Sequence, residues 1–190
     1  MRAFIAIELP REIKNKLSEL QTLLKKSGAD VKWAEPKNIH LTLKFLGEID
    51  KNKSVKIAEI IADTAKKSRQ FRISLSSIGA FPNIEFAQVI WVGIDKGDKA
   101  IKALVKELEE RFEKLGILKE KRPFSSHITI GRAKNLLNKD KLAQALKESE
   151  SYFSGKNIEF KVDKIGLFKS TLGPNGPVYE TLKEVNIDTI

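Results

Sequence analysis

His40-Leu41-Thr42-Leu43 and His127-Ile128-Thr129-Ile130 are two copies of one short pattern, and between them they use both histidines of the 190-residue chain. An extended strand turns successive side chains to opposite faces. In each copy the imidazole and the hydroxyl therefore share one face while the two aliphatic residues take the other. Each copy reads as a half-buried strand that sets a titratable ring beside a hydrogen-bond donor. One such histidine is commonly a structural side chain. Two in matching settings, one in each half of the chain, point to a shared catalytic site, because converging titratable groups define chemistry.

Outward from the first copy, residues 2–9 read as a strand, and Pro10 opens a helix with Ile13, Leu17, Leu20, Leu23 and Leu24 at helical spacing and Gly28 as its stop. Residues 31–34 and 39–46 follow as strands around Pro36, the second ended by Gly47. The spacing predicts a helix over 52–67, strands over 71–78 and 87–94 about a turn at 79–83, and a helix over 99–115 stopped by Gly116. Beyond the basic loop 119–123, residues 126–131 form the strand of the second copy and 138–148 a helix. Two last strands, 158–170 and 178–187, flank the Gly- and Pro-rich turn 171–177. Strands and helices thus alternate in two comparable halves.

Charged residues make up 32% and hydrophobic residues 41%, which excludes a disordered tail and a membrane protein. No apolar run approaches the roughly 18 to 20 residues of a membrane span. The apolar run at 3–7 is cut by Glu8 and Pro10 before it makes a signal-peptide core, so a cytoplasmic protein is the expectation. With no cysteine there is no disulfide framework and no thiol nucleophile, and two histidines leave no four-ligand zinc site of the usual kind. No metal and no cofactor are expected. A formal net charge of +10 favours a polyanionic partner such as RNA or a phosphorylated metabolite. The excess of Lys over Arg, with abundant Glu and Ile, fits thermophilic adaptation equally well.

At His40-Leu41-Thr42-Leu43-Lys44-Phe45-Leu46-Gly47 and His127-Ile128-Thr129-Ile130-Gly131-Arg132 the chain resembles the two-histidine (2H) phosphoesterases of the RNA 2',3'-cyclic phosphodiesterase type, formerly named 2'-5' RNA ligase. Residues 1–7, Trp33 to Pro36, Gly79-Ala80-Phe81-Pro82, and Leu167-Phe168-Lys169-Ser170 ahead of Gly173 and Tyr179 resemble the family's recurring blocks. Two departures are Ser126, where the family often has Pro, and Gly131, where Ala is common; both bear on local backbone only. The resemblance implies an α+β bilobal fold over 1–190, a single domain of two pseudo-twofold-related lobes. Each lobe would be an antiparallel-rich sheet with outer helices, contributing one His-x-Thr motif to a central cleft.

It further implies hydrolysis of a terminal 2',3'-cyclic phosphate, on RNA or a nucleoside, to a 2'-phosphomonoester. His40 would be the proton donor, His127 the proton acceptor, and Thr42 and Thr129 donors to the phosphate oxygens. Two imidazoles suit this reaction because a ring with pKa about 6.5 serves as acid or as base near neutral pH; the residues alone do not order them. Lys44, four positions after His40, falls on the same face of a regular strand and is a substrate-binding candidate. Arg132 has the wrong parity but follows Gly131, where the backbone can turn, and is the second candidate. Phe45, Phe81, Phe124 and Tyr179 are stacking candidates, with Phe45 expected in the core from its parity. A monomer is expected. The alternatives are ATP-independent 2'-5' ligation by reversal and a non-catalytic basic RNA-binding module. No Lys-x-Asp-Gly motif or Gly-rich phosphate loop supports ATP-driven ligation.

Overall fold

In the computed structural model, residues 1–174 and 176–188 are described, so Asn175 of the expected turn and the last two positions of 1–190 lie outside them. The elements in chain order are β1 (Arg2–Glu8), α1 (Arg11–Lys25), β2 (Val31–Trp33), β3 (His40–Glu48), α2 (Lys51–Lys67), β4 (Phe71–Phe81), β5 (Val89–Ile94), α3 (Asp98–Lys114), β6 (His127–Ala133), α4 (Lys139–Glu148), β7 (Glu159–Val162), β8 (Lys164–Gly173) and β9 (Gly176–Asn186). The helices form where apolar residues recur every three to four positions: Ile13, Leu17, Leu20 and Leu24 are the buried stripe of α1. Asp50 caps α2 by accepting from the Lys53 amide at 2.7 Å, a contact worth about 1 kcal/mol.

The strands build two antiparallel sheets, one of order β3-β1-β8-β9 and one of order β2-β6-β5-β4-β7. Each sheet draws strands from both halves of the chain, so the halves read from the sequence are not the two layers. The stretch read as one strand over 158–170 breaks at Asp163: β7 pairs with β4 in the second sheet and β8 with β1 in the first. Apolar residues recur on either side of the Asp163-Lys164 pair, at Phe160, Val162, Ile165 and Leu167, which hides the break from periodicity. The turn expected at 79–83 starts later, because Gly79 and Ala80 remain paired within β4. Helix α3 packs on β3, α2 on β8 and β9, and α1 on α4. No helix among the described residues is long and apolar enough to cross a membrane.

Alternate residues of β1 serve two apolar clusters. Ala3, Ile5 and Ile7 join the main core, which also holds Leu41, Leu43, Ile128 and Ile130 as the sequence predicts. Phe4 and Ala6 form a second cluster with Phe168, against which Tyr179 packs. Burial on both sides accounts for the unbroken apolar run of this strand.

A β-bulge falls at the same place in both motif strands. Opposite Ile5 and Ala6 of β1, strand β3 offers Lys44 and Thr42 and leaves Leu43 unpaired. Opposite Ile90 and Trp91 of β5, strand β6 offers Gly131 and Thr129 and leaves Ile130 unpaired. An extra residue reverses the facing of everything after it. Beyond each bulge the side chain five positions from the histidine, Phe45 or Arg132, is the exposed one.

Candidate active site

Both histidines start their strands and are held alike. His40 Nδ1 donates to the Asn38 carbonyl at 2.7 Å, and His127 Nδ1 donates to the Ser125 carbonyl at 2.8 Å. A carbonyl only accepts, so Nδ1 carries the proton and Nε2 is the nitrogen left to gain or lose one. Each ring also rests on an aromatic pair. Phe4 stacks on His40 with centroids 4.8 Å apart and Tyr179 meets it edge-on at 5.3 Å. Phe81 meets His127 edge-on at 5.1 Å, with Trp91 at 6.4 Å. Such contacts contribute about 0.5–1.5 kcal/mol each and fix the ring planes. Trp91 lies so close over Gly79 that a Cβ there would come within 2.4 Å of the indole, which is why that position is glycine.

Burial holds both imidazoles below the ordinary histidine value. For His40 desolvation outweighs the bond to the Asn38 carbonyl, with Lys14 lowering further and Glu8 opposing it. For His127 desolvation again leads, the Ser125 bond opposes it, and the Arg132 charge adds to the lowering.

Strands β3 and β6 come together where the sheets meet, with Cα atoms within 8 Å of one another. β3 is an edge strand of the first sheet and β6 lies second from the edge of the second. Thr42 and Thr129 are half-buried on the faces of their histidines. Arg132 is exposed beyond the bulge of β6, and its charge lowers both His127 and Tyr179, the latter edge-on to His40. Arg132 makes no salt bridge among the described residues. Its cross-strand neighbour is Lys32. Two like charges opposite each other are unfavourable, and an anion between them relieves this.

Three expectations change. Lys44 does not reach the cleft: the bulge at Leu43 turns it inward, where it is 3% exposed and its Nζ donates to Glu109 Oε1 at 2.6 Å and to the Leu118 carbonyl at 3.0 Å. Phe45, expected in the core, is 63% exposed for the same reason. Arg132 does reach the cleft face, but through the bulge at Ile130 rather than a turn at Gly131. Gly131 is glycine because the Trp33 ring lies over it, 2.9 Å from where a Cβ would stand. Phe4 falls in the block 1–7 but was not singled out as a site residue, and Trp91 and Lys32 lie outside every block named above. Only Phe4 left a signal, an aromatic residue inside the short apolar run of β1; the pairing of Trp91 with Thr129 and of Lys32 with Arg132 depends on sheet register.

A cavity of about 290 Å³ opens beside His40, floored by Phe4, Phe168 and Tyr179 and rimmed by Glu8, Lys14 and Lys37. A larger depression of about 530 Å³ lies between Ile60 and the Glu107, Arg111 and Lys114 side of α3. It holds no histidine or hydroxyl, and Arg111 is already paired with Glu107. Among the described residues no three His, Cys, Asp or Glu side chains gather as a metal-ligand set.

The family model "LigT like Phosphoesterase" matches twice, over residues 7–91 and 92–179, one motif falling in each match. A protein of Methanocaldococcus jannaschii named RNA 2',3'-cyclic phosphodiesterase is 38% identical over 184 residues, covering 97% of this chain and 99% of its own. A protein of Thermotoga maritima with the same name is 34% identical, covering 99% and 96%. Among solved structures, a Thermus thermophilus protein superposes with a TM-score of 0.81 at 27% identity, covering 98% of each chain. The structure of E. coli LigT complexed with 3'-AMP gives a TM-score of 0.77 at 22% identity, over 98% and 97%, a likeness of fold.

Proposed function

The chain belongs to the LigT-like phosphoesterase family, and from that premise we propose that it is an RNA 2',3'-cyclic phosphodiesterase that opens the terminal cyclic phosphate to a 2'-phosphomonoester. The observation that carries this reading is the matched pair of Nδ1-anchored imidazoles on two strands that meet, each with a threonine beside it and no partner for Nε2 among the described residues. A water oxygen attacks phosphorus while the bond to the ribose 3' oxygen breaks on the far side. His127 Nε2 takes the proton from the water, and His40 Nε2 gives one to the 3' oxygen. Thr42, Thr129 and Arg132 meet the charge that grows on the non-bridging oxygens.

The cavity supports that order of acid and base. In an in-line opening the nucleoside stays on the side of the leaving oxygen. An aromatic-floored space next to His40 suits a ribose and base; the water then approaches from the His127 side. The reading takes the protein as a cytoplasmic monomer, a single bilobal domain with RNA as substrate and no cofactor. Ligation by reversal uses the same two rings, whereas a purely RNA-binding role leaves both Nε2 atoms without work.

Turnover of a nucleoside 2',3'-cyclic phosphate in excess EDTA, followed across pH, tests this. Activity is expected to survive the chelator and to follow a bell, as a coupled pair. Because burial lowers both rings from 6.5 in the free protein, the one-proton state of the pair is most populated on the acid side of that value. The kcat/KM optimum is therefore expected below about pH 6.5. A bound phosphodiester anion favours the protonated ring, so the falling limb of kcat is expected at higher pH than that of kcat/KM. A divalent-ion requirement, or a monotonic response over roughly pH 4 to 10, contradicts the two-histidine mechanism.

A further inference from the structure

Gln21 is 2% exposed on the inner stripe of α1, between Leu17, Leu20 and Leu24. Buried amides are placed where their hydrogens are used, and here both are. Gln21 Nε2 donates to the Ile130 carbonyl and to the Ala34 carbonyl, each at 2.8 Å. Ile130 is the bulge residue of β6, one position after Thr129, and its carbonyl also accepts from the Ala34 amide at 3.0 Å. Ala34 is the last residue held to β6 before the chain departs through Pro36 to Asn38, whose carbonyl anchors His40 and whose side-chain amide donates to the Pro177 carbonyl at 2.8 Å. One nitrogen thus ties the backbone of the second motif to the start of the short segment that presents the first.

We propose that Gln21 is a positioning residue, a clamp that sets His127, Thr129 and Arg132 against His40 at their working separation. The inference rests on the two-histidine reading for its consequence in catalysis, but not for its geometry. Leucine or methionine at this position fills the same space and has no hydrogen to donate. The Ile130 carbonyl would keep only its bond from Ala34, and the Ala34 carbonyl would lose the donor that Gln21 supplies. The segment carrying Asn38 is then free to shift relative to β6. Misplacement of about 1 Å between reacting groups costs on the order of a hundredfold in rate, so the consequence belongs in kcat.

The test compares the wild type with Gln21→Leu and Gln21→Met at a temperature where circular dichroism shows each folded; Met keeps the unbranched shape should the Leu variant not fold. The expected result is a kcat lower by about tenfold to a hundredfold with KM within about threefold, the pattern of a lost transition-state alignment rather than lost binding. Because the chain has only two histidines, their ring NMR signals are followed one by one while inorganic phosphate is added. In the wild type one phosphate should move both rings with a single binding curve, and in the variants only one ring, or the two with separate curves. A purely structural glutamine changes the melting temperature and neither of these readouts. A folded variant with wild-type kcat and both rings answering together overturns the proposal. If the wild type itself fails to turn over cyclic phosphate, the activity reading falls, and the ring response to phosphate still decides the clamp.

Discussion

Replacement of His40 or His127 by alanine is expected to lower kcat on a nucleoside 2',3'-cyclic phosphate by about a hundredfold to ten-thousandfold, the usual worth of positioned acid or base assistance. The two rings serve opposite ends of one displacement, so the double variant should be scarcely slower than either single one. Thr42→Ala and Thr129→Ala should cost less, about tenfold to a thousandfold, because each removes one hydrogen bond to developing charge. His40 is stacked on Phe4, so each rate is read beside an unfolding curve that shows the variant folded at the assay temperature. A folded His40→Ala or His127→Ala protein with near-normal turnover would mean that the ring in question takes no part in proton transfer.

Lys44→Met is expected to be strongly damaging to stability and nearly silent in catalysis. The Lys44–Glu109 pair is 2.6 Å long with side chains 2% and 13% exposed, and Glu109 Oε2 is buried with no partner. Lys44 is therefore the main compensation for that carboxylate. Removing one partner of a buried pair costs about 3–5 kcal/mol, which in a domain of this size lowers Tm by roughly 6 to 20 °C. Adding Glu109→Leu should recover much of the loss, since replacing both partners by apolar groups is often close to neutral. Thermal melts and a urea series on the three proteins give the comparison. Unchanged stability together with a raised KM for substrate would instead put Lys44 in the cleft.

The contrast between Lys44 and Arg132 shows what the sequence carried and what it did not. The His-x-Thr pairs were legible because alternation within three residues needs no knowledge of the partner strand, and the helices because an apolar stripe repeats over many turns. Facing beyond the motif was not legible. Regular alternation puts Lys44 with His40 and Arg132 away from His127, and one unpaired residue in each strand, Leu43 and Ile130, inverts both. A bulge depends on the register against β1 and β5, which no local window contains. The division of 158–170 between two sheets was hidden likewise, by the apolar residues that recur before Asp163 and after Lys164. Gln21 did leave a trace: it sits four positions after Leu17 and three before Leu24, on the buried stripe, where an unpaired amide would be costly.

The most direct test of the central claim is the identity of the phosphomonoester formed when RNA ending in a 2',3'-cyclic phosphate is incubated with the protein and excess EDTA, read by phosphorus NMR or by chromatography against 2'- and 3'-phosphate standards. With His40 as the donor to a departing 3' oxygen and water on the His127 side, the expected sole product is the 2'-phosphomonoester, absent from parallel incubations with His40→Ala and His127→Ala. An intact cyclic end, or a 3'-phosphomonoester in its place, would contradict the account.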